Sequence, residues 1–195
     1  MKYLLLISFI IYSTSAHGAK YEYQSINYSK YNSALISKET LTIDTNYLVV
    51  SCDEQKRLFG NKKCRGGRPT IKFEDVIHEA DICDSDKLKM VCFSGGNTVF
   101  SFPLKRPNKG DKWEYEGKEF EVLHDNFRLT MFGRKFNTYV VQSEKIKGKR
   151  SVYLYSISLG ILAIHYISEI ESVEQMKAFY LVSDRGFGSF QDHES

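Results

Sequence analysis

Apolar and polar residues alternate along much of this chain, and a period of two residues is typical of β-strands with one buried face. The pattern is most regular in the second half, where glycines such as Gly117, Gly133 and Gly160 separate short strand-like segments. These segments are residues 113–116, 118–124, 127–132, 136–143, 151–158, 161–167 and 177–183. Strands at such regular spacing predict an antiparallel meander.

The first half of the chain carries strand signals as well. Residues 21–31 and 40–52 alternate or are rich in β-branched side chains. Residues 87–93 and 98–104 flank a Ser-Gly-Gly-Asn sequence. Because glycine and asparagine tolerate positive φ, this arrangement predicts a β-hairpin.

Two segments favour short helices. Residues 70–82 place four apolar side chains on one helical face, although their first residues also fit a strand. Ser168 and Glu171 have the spacing of a helix-capping box, so residues 168–175 are expected to form one helical turn. The predicted fold is therefore mainly β: a single domain with a curved antiparallel sheet, as a half-barrel, barrel or sandwich, and one or two short helices.

The N-terminus has the pattern of a secretory signal peptide. Lys2 precedes an apolar run over residues 3–12, which is too short to span a bilayer, and small residues follow it. We predict that residues 1–18 are cleaved after Gly18, within two or three positions, and that the protein is periplasmic or extracellular. The later sequence has no apolar run of about 18 residues, so no transmembrane anchor is expected.

Beyond the signal peptide, residues 19–183 are predicted to form the β-rich domain and residues 184–195 a flexible tail. The tail contains Gly-Phe-Gly, which resembles linker composition and lacks the lysine and hydroxyl residue of a phosphate loop.

The four cysteines are Cys52, Cys64, Cys83 and Cys92. An even number of cysteines in an exported protein predicts two disulfides, and sequence alone leaves three pairings open. We prefer Cys52–Cys64 and Cys83–Cys92, because each bond closes a short loop. The chain has no Cys-x-x-Cys pair, which argues against a zinc knuckle or a thioredoxin-like redox site.

Composition supports a sheet protein, since the chain has 13 tyrosines, 13 phenylalanines and only three prolines. Net charge is +3, of which Lys2 in the signal peptide contributes one, so nothing indicates nucleic-acid binding. The densest basic patch is residues 145–150. Its glycine indicates a solvated hairpin tip, with a phosphate or membrane contact as the alternative.

Three segments of the second half together resemble exported bacterial β-rich proteins of uncharacterised families. They are GDKWEY at residues 110–115, FGRKFNTYVV at residues 132–141 and YLYSISLGIL at residues 153–162. The resemblance covers residues 110–165 approximately. It implies a curved antiparallel sheet in the export compartment, and it carries over no catalytic residue.

No residue pattern identifies catalytic, cofactor-binding or metal-binding residues. The histidines outside the signal peptide, which are His78, His124, His165 and His193, lack the spacing of metal ligands, and no Gly-x-Ser-x-Gly motif is present. Acidic pairs at residues 114 and 116 and at residues 119 and 121 could in principle serve glycosidic cleavage. A solvent-exposed face of a hairpin explains these acidic pairs better.

The leading hypothesis is a non-enzymatic exported binding or structural protein of the cell envelope, which engages a small apolar ligand or an envelope protein. The second is a secreted inhibitor of a wall-degrading or proteolytic enzyme. Its contact residues would be Lys62, Lys63 and Arg65, in the stapled loop over residues 53–68. The third is a hydrolase, which requires His124 or His165 to meet a carboxylate and a hydroxyl group.

Overall fold

The computed structural model of the protein describes residues 19–25, 39–47, 68–131, 133–170 and 173–189. The predicted signal peptide, the Cys52–Cys64 pair and the proposed contact residues Lys62, Lys63 and Arg65 lie outside these ranges.

The described residues form twelve strands and one short helix. The strands are β1 (Lys20–Ser25), β2 (Thr40–Tyr47), β3 (Arg68–Phe73), β4 (Val76–Ile82), β5 (Met90–Gly95), β6 (Thr98–Pro103), β7 (Lys112–Tyr115), β8 (Lys118–Met131), β9 (Arg134–Ser143), β10 (Lys149–Ser156), β11 (Gly160–Ile170) and β12 (Val173–Leu181). The helix, α1, is Ser85–Leu88. All strands belong to one antiparallel sheet of order β6-β5-β4-β3-β2-β1-β12-β11-β10-β9-β8-β7, which is nearly closed and barrel-shaped. The predicted mainly β, single-domain fold is confirmed.

The two terminal strands of the sheet, β6 and β7, meet through side chains. The Trp113 indole N–H donates a hydrogen bond to Ser101 Oγ at 2.8 Å. The same indole lies edge-on to the Phe102 ring, with 6.2 Å between ring centroids. A hydrogen bond and an aromatic contact therefore join the strands across the seam.

Both helices predicted from sequence are wrong. Residues 70–82 contribute to the β3–β4 hairpin, in which Phe73 pairs with Val76. Strand β2 pairs with β3, and the β-branched Thr70 and Ile71 are buried there, so tertiary pairing overrides the helical pattern. Around residues 168–175, β11 pairs with β12 as far as Ile170 and Val173. The helix that does form follows Asp84, whose carboxylate accepts a hydrogen bond from the Lys87 amide at 3.2 Å.

Aromatic side chains fill the space between β6 and β10. The Phe100 ring lies 4.9 Å from Tyr153 and 5.5 Å from Tyr155, and Phe102 lies 4.4 Å from Tyr155. All four rings are fully buried. The Tyr153 hydroxyl donates to the Val99 carbonyl at 2.6 Å, and burial raises the pKa of Tyr153, so this phenol remains a protonated donor.

The C-terminal plug, residues 186–189, is buried against this core. The Phe187 ring lies 4.9 Å from Phe93 and 5.8 Å from Tyr21. The Tyr155 hydroxyl donates to the Gly188 carbonyl at 2.6 Å, and the Phe187 amide donates to the Tyr23 hydroxyl at 3.1 Å. The plug lies within the segment predicted to be a flexible tail, and its glycines let the backbone approach the sheet closely.

The Cys83–Cys92 disulfide predicted from sequence is present, with the two Cα atoms 5.4 Å apart. It connects the segment before α1 to β5, next to a backbone hydrogen bond between the same two residues.

Replacing both Cys83 and Cys92 with serine is expected to lower the free energy of unfolding by about 2–3 kcal/mol, because the cross-link restricts the unfolded chain. Urea denaturation of the purified domain measures this change. An unchanged unfolding midpoint and slope would show that the bond does not contribute to stability.

Candidate functional site

The structure does not bring the predicted catalytic candidates together. The His124 ring is exposed and lies 6.3 Å from Phe127. The His165 ring lies 5.7 Å from Tyr180, its Nε2 is buried without a hydrogen-bond partner, and burial lowers its pKa. Among the described residues, neither ring is hydrogen-bonded to a carboxylate, so the arrangement required for the hydrolase hypothesis is not formed there.

The predicted acidic pairs lie on the β7–β8 hairpin. Lys112 Nζ contacts Glu119 at 2.8 Å and Glu121 at 3.9 Å, on an exposed surface. Glu119 and Glu121 thus form ion pairs on the solvent-exposed face of the hairpin, which is the face that the sequence indicated for them. Within the described ranges, no three metal-ligating side chains come together, and no helix has the length and apolarity to cross a membrane. The absence of a metal or cofactor stays a prediction.

One candidate binding site lies at the end of the barrel that holds the β8–β9 turn. We call it the apolar slot; its volume is about 340 Å³, within the range of small-molecule sites. Its apolar lining consists of Met131, Phe136, Leu159, Leu162, Leu181 and Val182, and its polar lining consists of Arg134, Ser183 and Asp184.

The β8–β9 hairpin provides one wall of the apolar slot. Leu129 pairs with Phe136, and Met131 pairs with Arg134. Because residues two positions apart share a face of a strand, these four side chains lie on one face and Arg128 lies on the other. The sequence predicted a strand at residues 127–132. The opposite wall of the slot comes from β11 and β12, and no sequence pattern indicated that these strands lie beside the hairpin.

Arg134 is the cation of the apolar slot. It is exposed, and it has no carboxylate partner in the part of the chain that the structure describes, although Asp184 also lines the slot. The guanidinium is therefore available to bind an acidic or polar head group, whereas the six apolar side chains suit a hydrocarbon portion.

A second candidate lies at the opposite end of the barrel, beside the β9–β10 turn. We call it the basic groove; its volume is about 570 Å³. Its charged lining consists of Lys118, Lys149, Arg150, Lys177 and Glu144; its hydroxyl lining of Ser143, Ser151, Tyr166 and Ser168; and its apolar lining of Ile146, Ile167 and Met176. Four cations and one carboxylate thus belong to the lining itself. The sequence pointed to this region only through the basic turn at residues 145–150, which the structure confirms as a hairpin tip.

Ion pairs occupy part of the basic groove. Arg150 Nη2 lies 2.9 Å from Glu174 Oε1, and Lys177 pairs with Glu39. Lys118 and Lys149 have no carboxylate partner among the described residues. The Arg150 Nε is buried and also lacks a hydrogen-bond partner there. Two ammonium groups outside any ion pair of the described residues and one unsatisfied guanidinium N–H therefore line the groove, together with the Glu144 carboxylate.

No protein-family model, curated protein or solved structure matches the chain. The functional argument consequently depends on the geometry of these two sites.

Proposed function

We propose that this protein is an exported, non-enzymatic binding protein of the cell envelope, and that it holds a small apolar ligand with an acidic head group in the apolar slot. The observation that carries the proposal is the slot lining, in which six apolar side chains accompany one arginine, and Arg134 forms no ion pair with Asp184 of the same lining. The core between β6 and β10 is filled by its own rings, so a ligand would bind at a surface cavity and not between these strands.

Export is the premise of this proposal, and two features support it. The first 18 residues have the charge and apolar pattern of a signal peptide. The Cys83–Cys92 disulfide is compatible with an oxidising compartment.

Replacing Arg134 with alanine tests the ligand-binding proposal. We expect decanoic acid to bind the wild type and to bind Arg134→Ala about tenfold more weakly, because a charge-assisted hydrogen bond is lost. Decanol lacks the carboxylate, so its affinity should be the same in both proteins. Isothermal titration calorimetry measures both ligands.

Arg128→Ala is the matched control, since Arg128 is an exposed arginine on the other face of the same hairpin. Met131→Asp should weaken binding of both ligands, because it places a carboxylate within the apolar lining. If neither decanoic acid nor decanol binds the wild type, the proposal is wrong. Equal losses in Arg134→Ala and Arg128→Ala would instead exclude a specific contact with Arg134.

A further inference from the structure

The basic groove is separate from the apolar slot and has a different chemistry. The slot offers one cation among apolar side chains, whereas the groove combines four cations with hydroxyl groups. The two sites lie at opposite ends of the barrel, because the turns that border them connect opposite ends of β9: the β8–β9 turn at the slot and the β9–β10 turn at the groove.

We infer that the basic groove is a binding site for an organic phosphate. Lys118 and Lys149 provide two ammonium groups that form no ion pair among the described residues, against the one carboxylate of the lining, Glu144, and Arg150 Nε provides an unsatisfied donor. A phosphomonoester carries about 1.5 to 2 negative charges at neutral pH and three acceptor oxygens, so it can satisfy several of these donors at once. A single carboxylate would leave more of them unpaired.

Apolar side chains beside the cations indicate what else the ligand contains. Ile146 is 40% exposed and Met176 is 62% exposed, and both line the groove. Exposed apolar side chains next to lysines suit a phosphate that is attached to a carbon skeleton. This description fits a phospholipid head group and a soluble organic phosphate alike.

The experiment uses two phosphate probes and a charge-matched pair of variants. Glycerol 3-phosphate is titrated by calorimetry, and sedimentation is measured with phosphatidylcholine vesicles that contain phosphatidic acid. Lys118→Gln combined with Lys149→Gln is expected to weaken binding about tenfold, because the two ammonium groups that form no ion pair are removed. Lys105→Gln combined with Lys135→Gln removes the same charge from exposed positions outside the groove lining, and should bind as the wild type does.

The pattern of binding identifies the source of the phosphate. Binding of glycerol 3-phosphate supports a soluble organic phosphate, and binding of the vesicles alone supports a lipid head group. If neither probe binds, or if the two double variants lose affinity equally, the inference is overturned. Arg134→Ala should leave phosphate binding unchanged, so failure of the slot proposal and failure of this one remain distinguishable.

Discussion

Gly160→Ala is expected to lower the free energy of unfolding by about 3–4 kcal/mol. Gly160 has φ of +76°, and a Cβ atom there would overlap the carbonyl oxygens of Gly186 and Phe187. These are backbone atoms, so the plug must move. Its movement would break the hydrogen bonds from Ile161 N to the Phe187 carbonyl, at 3.0 Å, and from Gly186 N to the Leu159 carbonyl, at 2.7 Å. Urea denaturation, followed by the fluorescence of Trp113, measures the loss.

Gly133→Ala separates the clash from backbone strain. Gly133 has φ of +71°, close to that of Gly160, but a Cβ atom there would meet nothing within 4 Å. Gly133→Ala is therefore expected to lower the free energy of unfolding by only about 1–2 kcal/mol, which is the cost of the left-handed conformation for alanine. Equal losses in Gly160→Ala and Gly133→Ala would mean that contact between the plug and Gly160 does not stabilise the folded state.

The strands were the predictable part of this fold, because local patterns encode them. The hairpin at β5–β6 follows from its Ser-Gly-Gly-Asn turn, and Gly96 has the positive φ that such a turn requires, at 57°. One predicted break was wrong: residues 118–124 and 127–132 were expected to form two strands, but β8 continues through both as Lys118–Met131. It does so with register shifts near His124, which bend the strand without ending it.

Burial of the plug could not be predicted from local sequence. Gly186, Phe187 and Gly188 have the composition of a linker. Their burial depends on hydroxyl groups from Tyr23 and Tyr155, which are more than thirty positions away in the chain. The helical pattern of residues 70–82 failed for a similar reason, because pairing with β2 decided the conformation of that segment.

The candidate sites were unpredictable for the same physical reason. The apolar slot combines side chains from β8, β9, β11 and β12, from the β10–β11 turn and from the segment after β12. The basic groove combines the five strands β8 to β12 with the β5–β6 and β9–β10 turns. Sequence identified Lys149 and Arg150 as part of a basic turn. It could not show that Lys118, about thirty residues earlier, lies beside them, or that Lys177 is paired with Glu39.

Phe187→Ala is expected to lower the free energy of unfolding by about 3–4 kcal/mol, because it removes a buried aromatic ring and leaves a cavity. Phe187 is 5% exposed, and it contacts Tyr21 of β1 and Phe93 of β5, which are not neighbours in the sheet. The ring therefore joins strands that share no backbone hydrogen bonds. Phe127→Ala is the matched control: Phe127 is 41% exposed, and its loss should cost less than about 1 kcal/mol. Similar urea midpoints for the two variants would show that the plug is not packed against the core in solution.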